Sequence, residues 1–337
     1  MNIFYNPKRL LSYNSLFNFC LGARGVGKTF GFKDYCISNC IKKNRKFIYL
    51  RRYKTEIKSN KMKSFFNDIN FKYENKLSCE NNQFYYEKQH IGQAMSLSTY
   101  VSNKSIILND YDYVIFDEFI IDKGTYHYLS REVETFLEFY NTIARLDSNG
   151  YMRDVKVFFL ANSISSVNPY FAYWKINLPL SFTGIKRINE QLVLEINSNK
   201  AYTDKMKKTK FYKIIEGTQY SEYAFENKFL RDNEEFIEKK PTTAKYFFTL
   251  SYNGKDYGVF QDIAKTGNIY ISEKYDKIFP VRFALTCEDM TVNTLFIKKF
   301  KNSSFLQTLT TAIDYGKIRY ENQTIKSIIY EISMLLK

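Results

Sequence analysis

Histidine is nearly missing from this chain, and cysteine and proline are scarce. The two histidines, His90 and His127, and the five cysteines, Cys20, Cys36, Cys40, Cys79 and Cys287, fall in no zinc-ligand spacing, which excludes a fold organised around zinc. Cys36 and Cys40 stand one helical turn apart and read as small buried apolar side chains. Scattered cysteines of this kind suit a reducing cytoplasm. With five prolines and no low-complexity tract, disorder is not expected. No run of about 18 apolar residues occurs, so no membrane span is expected. The stretch from Met1 to Arg9 lacks the charged-then-apolar order of a signal peptide. Acids are also in deficit, 35 Asp and Glu against 50 Lys and Arg, and the net charge of +15 points to a polyanionic partner.

The chain has apolar material in quantity, 45% hydrophobic and 18% aromatic over 337 residues, enough to fill two cores. Its basic charge is clustered. Ten Lys or Arg against the single acid Glu56 lie between Ile41 and Lys63, and six lysines against Asp204 lie between Lys200 and Lys213. Blocks this dense favour nucleic acid over a merely solubilised surface.

The organising stretch is Leu16–Leu21, an apolar run feeding directly into Gly22-Ala23-Arg24-Gly25-Val26-Gly27-Lys28-Thr29. That second piece is the P-loop pattern G-x-x-x-x-G-K-[ST]. Its glycines let backbone N–H groups converge on phosphate oxygens, Lys28 reaches the β- and γ-phosphates, and the Thr29 hydroxyl ligates Mg²⁺. Phe30 to Lys43 contains no proline and reads as a helix whose positive N-terminal end faces the bound ATP. The Arg24 side chain has two readings, contact with phosphate or with a neighbouring subunit. About 90 residues on, Tyr111–Phe116 reads as an apolar strand ending in Asp117-Glu118, the Walker B pattern. Asp117 would hold Mg²⁺ through its water shell, and Glu118 would take a proton from the attacking water or orient it. Two further strands are read at Lys46–Leu50 and Val155–Leu160; the second leads to Asn162, a polar residue suited to sensing the γ-phosphate. A helix is read over Ser130–Arg145, and an antiparallel insertion over Phe71–Ser98. Strands alternating with helices give an α/β fold with a mostly parallel sheet, its ligand site at the carboxyl ends of the strands.

Past Trp174 the texture changes: short extended pieces at Leu178-Pro179-Leu180 and Leu192–Ile196, then a linker or small helical subdomain, then strands at Tyr246–Tyr252, Tyr257–Asp262 and Asn268–Ser272, with helices at Ser303–Tyr315 and Thr324–Lys337. The expected domains are residues 1–198, 199–240 and 241–337.

In Phe4-Tyr5-Asn6-Pro7, Gly22–Thr29, Phe47–Lys54, Phe116–Ile120 and Val167–Phe171 the sequence resembles the DNA-packaging ATPases (terminase-like motors) of phi29-like bacteriophages. Echoes at Glu216-Gly217-Thr218 and Tyr252-Asn253-Gly254 extend the resemblance over nearly the whole chain. The resemblance implies an ATPase of the additional-strand, catalytic-glutamate class, a linker subdomain and a C-terminal RNase H-like domain. It implies a homomeric ring, a pentamer, on the portal (connector) of the prohead, acting on double-stranded DNA and admitting a structural RNA as bridge. Such a protein works in the host cytoplasm, transiently on the prohead, and is absent from the mature virion. Arg145 matches the family's trans-acting arginine finger and Lys104 a second basic residue of the subunit boundary. Arg51, Arg52 and Lys54 have two readings, DNA grip or bracing of the second strand. The first strand of the C-terminal domain carries no acid, and Asp262, Asp276, Glu288, Asp289 and Asp314 are scattered, so its nuclease site is expected to be vestigial. The expected activity is ATP-driven translocation of DNA into a prohead; a helicase or other translocase, and a nucleotide-stabilised nucleic-acid scaffold, are the competing readings.

Overall fold

A computed structural model of the chain describes residues 4–102, 108, 110–121, 128–129, 131–146, 150–162, 168–176, 178, 182–218, 221, 236–252, 254–326 and 328–329. Lys104, His127, Pro179, Leu180, most of 219–235 and the tail 330–337 lie outside the described residues. The chain divides into two compact units, Met1–Ser166 with Lys175–Arg231, and Val167–Trp174 with Asp232–Lys337.

The first unit is built on a nine-stranded sheet. A single turn, α1 (Lys8–Leu11), precedes β1 (Phe17–Gly22) and the long helix α2 (Lys28–Lys43), followed by β2 (Lys46–Arg51) and the short α3 (Ser59–Met62). Then come β3 (Leu77–Glu80), β4 (Gln83–Tyr86), β5 (Gln89–Ser96), α4 (Leu97–Ser102), β6 (Tyr111–Asp117), α5 (Glu132–Ile143) and β7 (Lys156–Asn162). The short α6 (Pro169–Tyr173) belongs to the other unit, and β8 (Gly184–Asn189), β9 (Leu192–Asn197), α7 (Lys200–Lys207) and α8 (Lys210–Ile215) complete the first. The strand order is β3-β4-β5-β2-β6-β7-β1-β9-β8, and the run from β5 to β9 is parallel throughout. Strands covered on both faces read as continuous apolar runs, and Phe19, Cys20, Leu21, Val114, Ile115, Phe116, Phe158 and Phe159 are fully buried. Stacked and edge-on rings knit neighbouring strands: Phe19 lies 4.2 Å from Phe159, and Phe136 of α5 lies 4.9 Å from the same ring. Strand β7 stands between the P-loop strand β1 and the Asp117 strand β6.

Two sequence readings change here. The Ile91–Leu97 piece, read as antiparallel insertion, is antiparallel only toward β4; on its other side β5 runs parallel to β2, with Phe47 opposite Gly92. Within this insertion β3 and β4 form an antiparallel edge, and β8 is antiparallel to β9 at the opposite one. Leu192–Ile196, read as a short extended piece without a partner strand named, is β9 and pairs parallel with β1, Gly22 opposite Asn197.

The second unit holds a six-stranded sheet, β14-β13-β10-β11-β12-β15. Its strands are β10 (Lys245–Tyr252), β11 (Lys255–Asp262), β12 (Asn268–Ser272), β13 (Arg282–Ala284), β14 (Leu295–Phe296) and β15 (Ile318–Tyr320). Strands β10, β11 and β12 form an antiparallel meander, with β13 added parallel to β10 and β15 parallel to β12. Helix α9 (Ser304–Asp314) places Leu306, Leu309 and Ala312 in this core, and Ser303 caps it by accepting from the Leu306 N–H. Residues 323–326 and 328–329 are helical where the sequence predicts the last helix. Two of the acids named in the sequence analysis are used locally. Asp262 accepts from the Thr266 hydroxyl at 3.0 Å, and Asp289 from the Gly254 N–H at 2.8 Å and the Thr286 hydroxyl at 2.6 Å.

Candidate nucleotide site

Strand β1 ends at Gly22 so close to β9 that a Cβ there would lie 2.9 Å from the Asn197 carbonyl oxygen. The chain then turns through Gly25, at φ +78°, where a Cβ would meet the Tyr202 hydroxyl at 2.6 Å. The loop is thus held from outside by β9 and α7. It is held from the N-terminal side too, since the Tyr5 N–H donates to the Val26 carbonyl at 2.8 Å and the Tyr5 hydroxyl to buried Glu195 at 2.6 Å. Burial raises the Glu195 carboxyl above its ordinary value.

Inside the loop sits Lys28. Its ammonium donates to the carbonyl oxygens of Gly22 (2.9 Å) and Ala23 (2.7 Å) and to Asn162 Oδ1 (3.3 Å). The side chain is buried, and burial pulls its pKa down to about 8. The next residue, Thr29, donates its hydroxyl to Asp117 Oδ2 at 3.1 Å, and Tyr49 donates to the same oxygen at 3.0 Å. Burial first, and the Asp117 charge second, keep the Tyr49 phenol protonated as that donor. These groups border a cleft of about 310 Å³ whose wall also carries Arg24, Asp68, Glu118 and Ala161. A hydroxyl and a carboxylate oxygen 3.1 Å apart are hard donors of the kind Mg²⁺ takes, beside a loop shaped for phosphate.

A lysine whose folded pKa is lowered costs stability while it is protonated. That cost is complete below about pH 8 and is relieved as pH rises from 8 toward the ordinary lysine value. Lys28→Met is therefore expected to raise the melting temperature of the nucleotide-free protein at pH 7, by a margin that shrinks at pH 9 to 10. Thermal melts of variant and parent across that range check it; a gain independent of pH would mean that the buried charge is not the cause.

Asp117 is followed by a turn that the structure holds tightly. Glu118 has φ +57°, a conformation uncommon for a non-glycine residue. Arg52 fixes it: the guanidinium donates to the Glu118 carbonyl at 3.2 Å and the Phe119 carbonyl at 2.7 Å, and pairs with both oxygens of Glu132 at 2.7 and 2.8 Å. Arg52 and Glu132 are 3% exposed each, and Tyr128 lies under the guanidinium at 4.9 Å. Of the two readings of Arg52, DNA grip or bracing, this enclosed geometry favours bracing. Removing one member of a buried ion pair strands the other charge, typically at about 3–5 kcal/mol. Glu132→Ala is expected to lose that much in a denaturant titration, and a loss under about 1 kcal/mol would contradict the bracing role.

Arg51 takes a different position. It binds Glu56 at 2.6 Å and one oxygen of Glu118 at 2.5 Å, so the candidate general base is paired with a cation while its side chain stays 62% exposed to water. Arg51 is thus tied to Glu118, which lines the cleft, whereas Lys54 is exposed.

The profile of the Podovirus DNA encapsidation protein (Gp16) family matches residues 1–336. The chain belongs to that family. It is 34% identical to the DNA packaging protein of Bacillus phage phi29 over 334 residues, 98% of this chain and 97% of that one. Identity to the DNA packaging protein of Bacillus phage B103 is 33%, over 96% and 98% of the two chains. Among solved structures it is similar to the bacteriophage phi29 genome packaging motor assembly, with a TM-score of 0.73 at 33% identity over 99% of this chain and 100% of that one. The N-terminal domain of the DNA packaging ATPase from bacteriophage phi29 aligns at a TM-score of 0.53 and 33% identity, over 59% and 98%.

In this Gp16 chain the structure brings Lys28, Thr29, Asp117, Glu118 and Asn162 to one cleft. Arg24 borders it and is exposed. Arg145 does not. It stands just past the end of α5, exposed, and makes no hydrogen bond or ion pair with the described residues. Lys104 lies outside the described residues. Sequence reasoning missed Tyr49, Glu132 and Tyr202. None carries a local signal, because each acts on a partner 68 to 178 residues away.

Proposed function

We propose that this chain is an ATP-hydrolysing motor that translocates double-stranded DNA into a viral prohead. The observation that carries the reading is the meeting of Thr29 and Asp117 at 3.1 Å beside a P-loop filled by its own lysine. The intervening strand β7 supports the additional-strand, catalytic-glutamate class. In the working cycle the triphosphate replaces the loop carbonyls as the partner of Lys28, and Asn162, already touching that lysine, follows the exchange. Mg²⁺, held by Thr29 and Asp117, would neutralise charge on the β- and γ-phosphates. Glu118, paired with Arg51 through one oxygen, accepts a proton from the attacking water. Arg145, remote from the cleft of its own chain, serves the cleft of the next subunit in a homomeric ring, taken as a pentamer, with Lys104 at the same boundary.

The relatives' names, DNA packaging protein and packaging motor assembly, support a role in a DNA-packaging motor; in this reading the docking partner is the portal of the prohead, with a structural RNA as bridge. The working division is an ATPase domain at 1–198, a linker at 199–240 and an RNase H-like domain at 241–337, whose acid-free first strand argues against nuclease activity. The protein then acts in the host cytoplasm on the prohead and leaves before the virion matures.

The lysines of α7 and α8 are exposed and supply a phosphate-directed grip that is indifferent to sequence and sensitive to salt. Double-stranded DNA of unrelated sequences should raise the ATP turnover of the purified protein equally, and the effect should fall steeply between about 50 and 200 mM salt. Turnover unaffected by DNA would favour a scaffold instead.

A further inference from the structure

The nucleotide cleft has a third carboxylate that the mechanism above does not use. Asp68 comes from the segment between β2 and β3, yet it lines the same cleft as Thr29, Asp117 and Glu118. Left alone, a carboxylate with a side chain 53% exposed would wander among rotamers. It is held by Lys33, which lies on α2 one turn after Thr29 and is 4% exposed. The Lys33 ammonium donates to Asp68 Oδ1 at 2.6 Å and to the Phe65 carbonyl at 2.9 Å, and stands 4.7 Å over the Phe65 ring. A lysine in this apolar setting is an expensive way to fasten a loop, since replacing buried ion pairs by apolar side chains is often neutral or stabilising. What the pair does accomplish is to fix one oxygen of Asp68 and leave the carboxylate oriented at the cleft wall.

A fixed anion beside a triphosphate repels it, so its partner there is a hydrogen-bond donor or a cation. Sites of this type hold Mg²⁺ with one or two protein groups, and Thr29 with Asp117 already supply them beside the loop. Mg²⁺ keeps several of its waters in sites of this type, and those waters are strong donors. Resting on the ATPase reading, we infer that Asp68, set in place by Lys33, is a positioning residue for the nucleotide-bound Mg²⁺, accepting hydrogen bonds from the ion's water shell. Partners one shell out from a metal are worth about 10–100-fold in metal affinity.

The test is a Mn²⁺ titration of the full chain with ADP, followed by the paramagnetic signal of free Mn²⁺. Asp68→Asn is expected to weaken Mn²⁺ binding about tenfold or more, while ADP affinity measured in EDTA stays at the parent value. Asp68→Glu should recover part of the loss. Lys33→Met should weaken Mn²⁺ binding in the same way; if it does not fold, Asp68→Asn still decides. Mn²⁺ affinity unchanged in Asp68→Asn, or an equal loss of ADP binding with and without metal, would reduce the pair to a tether between α2 and the 54–76 segment and overturn the inference. A parent protein that binds no Mn²⁺ with ADP would instead count against the ATPase reading itself.

Discussion

Glu118→Gln is expected to bind ATP as the parent does and to turn it over about 10²–10⁴ times more slowly. The amide keeps the size of the carboxylate and can still accept a hydrogen bond from Arg51, and the turn itself is braced by Arg52 through backbone carbonyls, so it survives. What it loses is the ability to take a proton from water. Lys28→Ala should behave differently, weakening ATP binding and turnover together, because Lys28 lies in the phosphate loop and not beside the water. Equilibrium binding of a fluorescent ATP analogue, measured alongside steady-state turnover, separates the two. Equal loss of binding and turnover in Glu118→Gln would move the base elsewhere.

The second large effect concerns Arg145. If its guanidinium completes the site of a neighbouring subunit, Arg145→Ala should bind ATP nearly normally and lose about 10³–10⁵ in turnover, the range for an arginine that stabilises charge on the transferring phosphoryl group. The decisive measurement is on mixtures. An Arg145→Ala subunit keeps a sound Glu118, and a Glu118→Gln subunit keeps a sound Arg145. Mixed rings therefore contain some sites with both groups, and part of the ATPase activity should return. An arginine acting within its own chain predicts no recovery at any ratio, because every subunit would then lack one group of its own site. Ring formation by each variant has to be verified first, for instance by light scattering. No recovery in verified mixed rings would leave Arg145 a structural residue.

Much of this site is legible in the sequence because its parts are local. Gly22–Thr29 carries its own loop geometry, and the strand before Asp117 announces itself by four successive apolar or aromatic residues. The double arginine at 51–52 is illegible for the opposite reason. Two adjacent side chains on a strand point to opposite faces, and the pair looks the same whether it faces phosphate or carboxylates. Only the fold reveals that Arg52 meets Glu132, 80 residues on, and that Arg51 meets Glu118. The same holds for β5 and β9, whose partners follow from sheet order and not from any pattern within them. Asp68 has no local signal either; its meaning comes from Lys33 on another element.

The Arg52–Glu132 pair has a mechanical side. Glu132 is the first residue of α5, and Arg145 follows two residues after its last, Ile143. A helix of 12 residues is a strut about 18 Å long, stiff against bending at that length. One end is riveted to the turn that carries Glu118, and Arg145 stands just past the other. If Arg145 serves the next subunit as proposed, a shift of that turn would be carried along the strut to its far tip and would couple successive sites in series, like links of a chain drive.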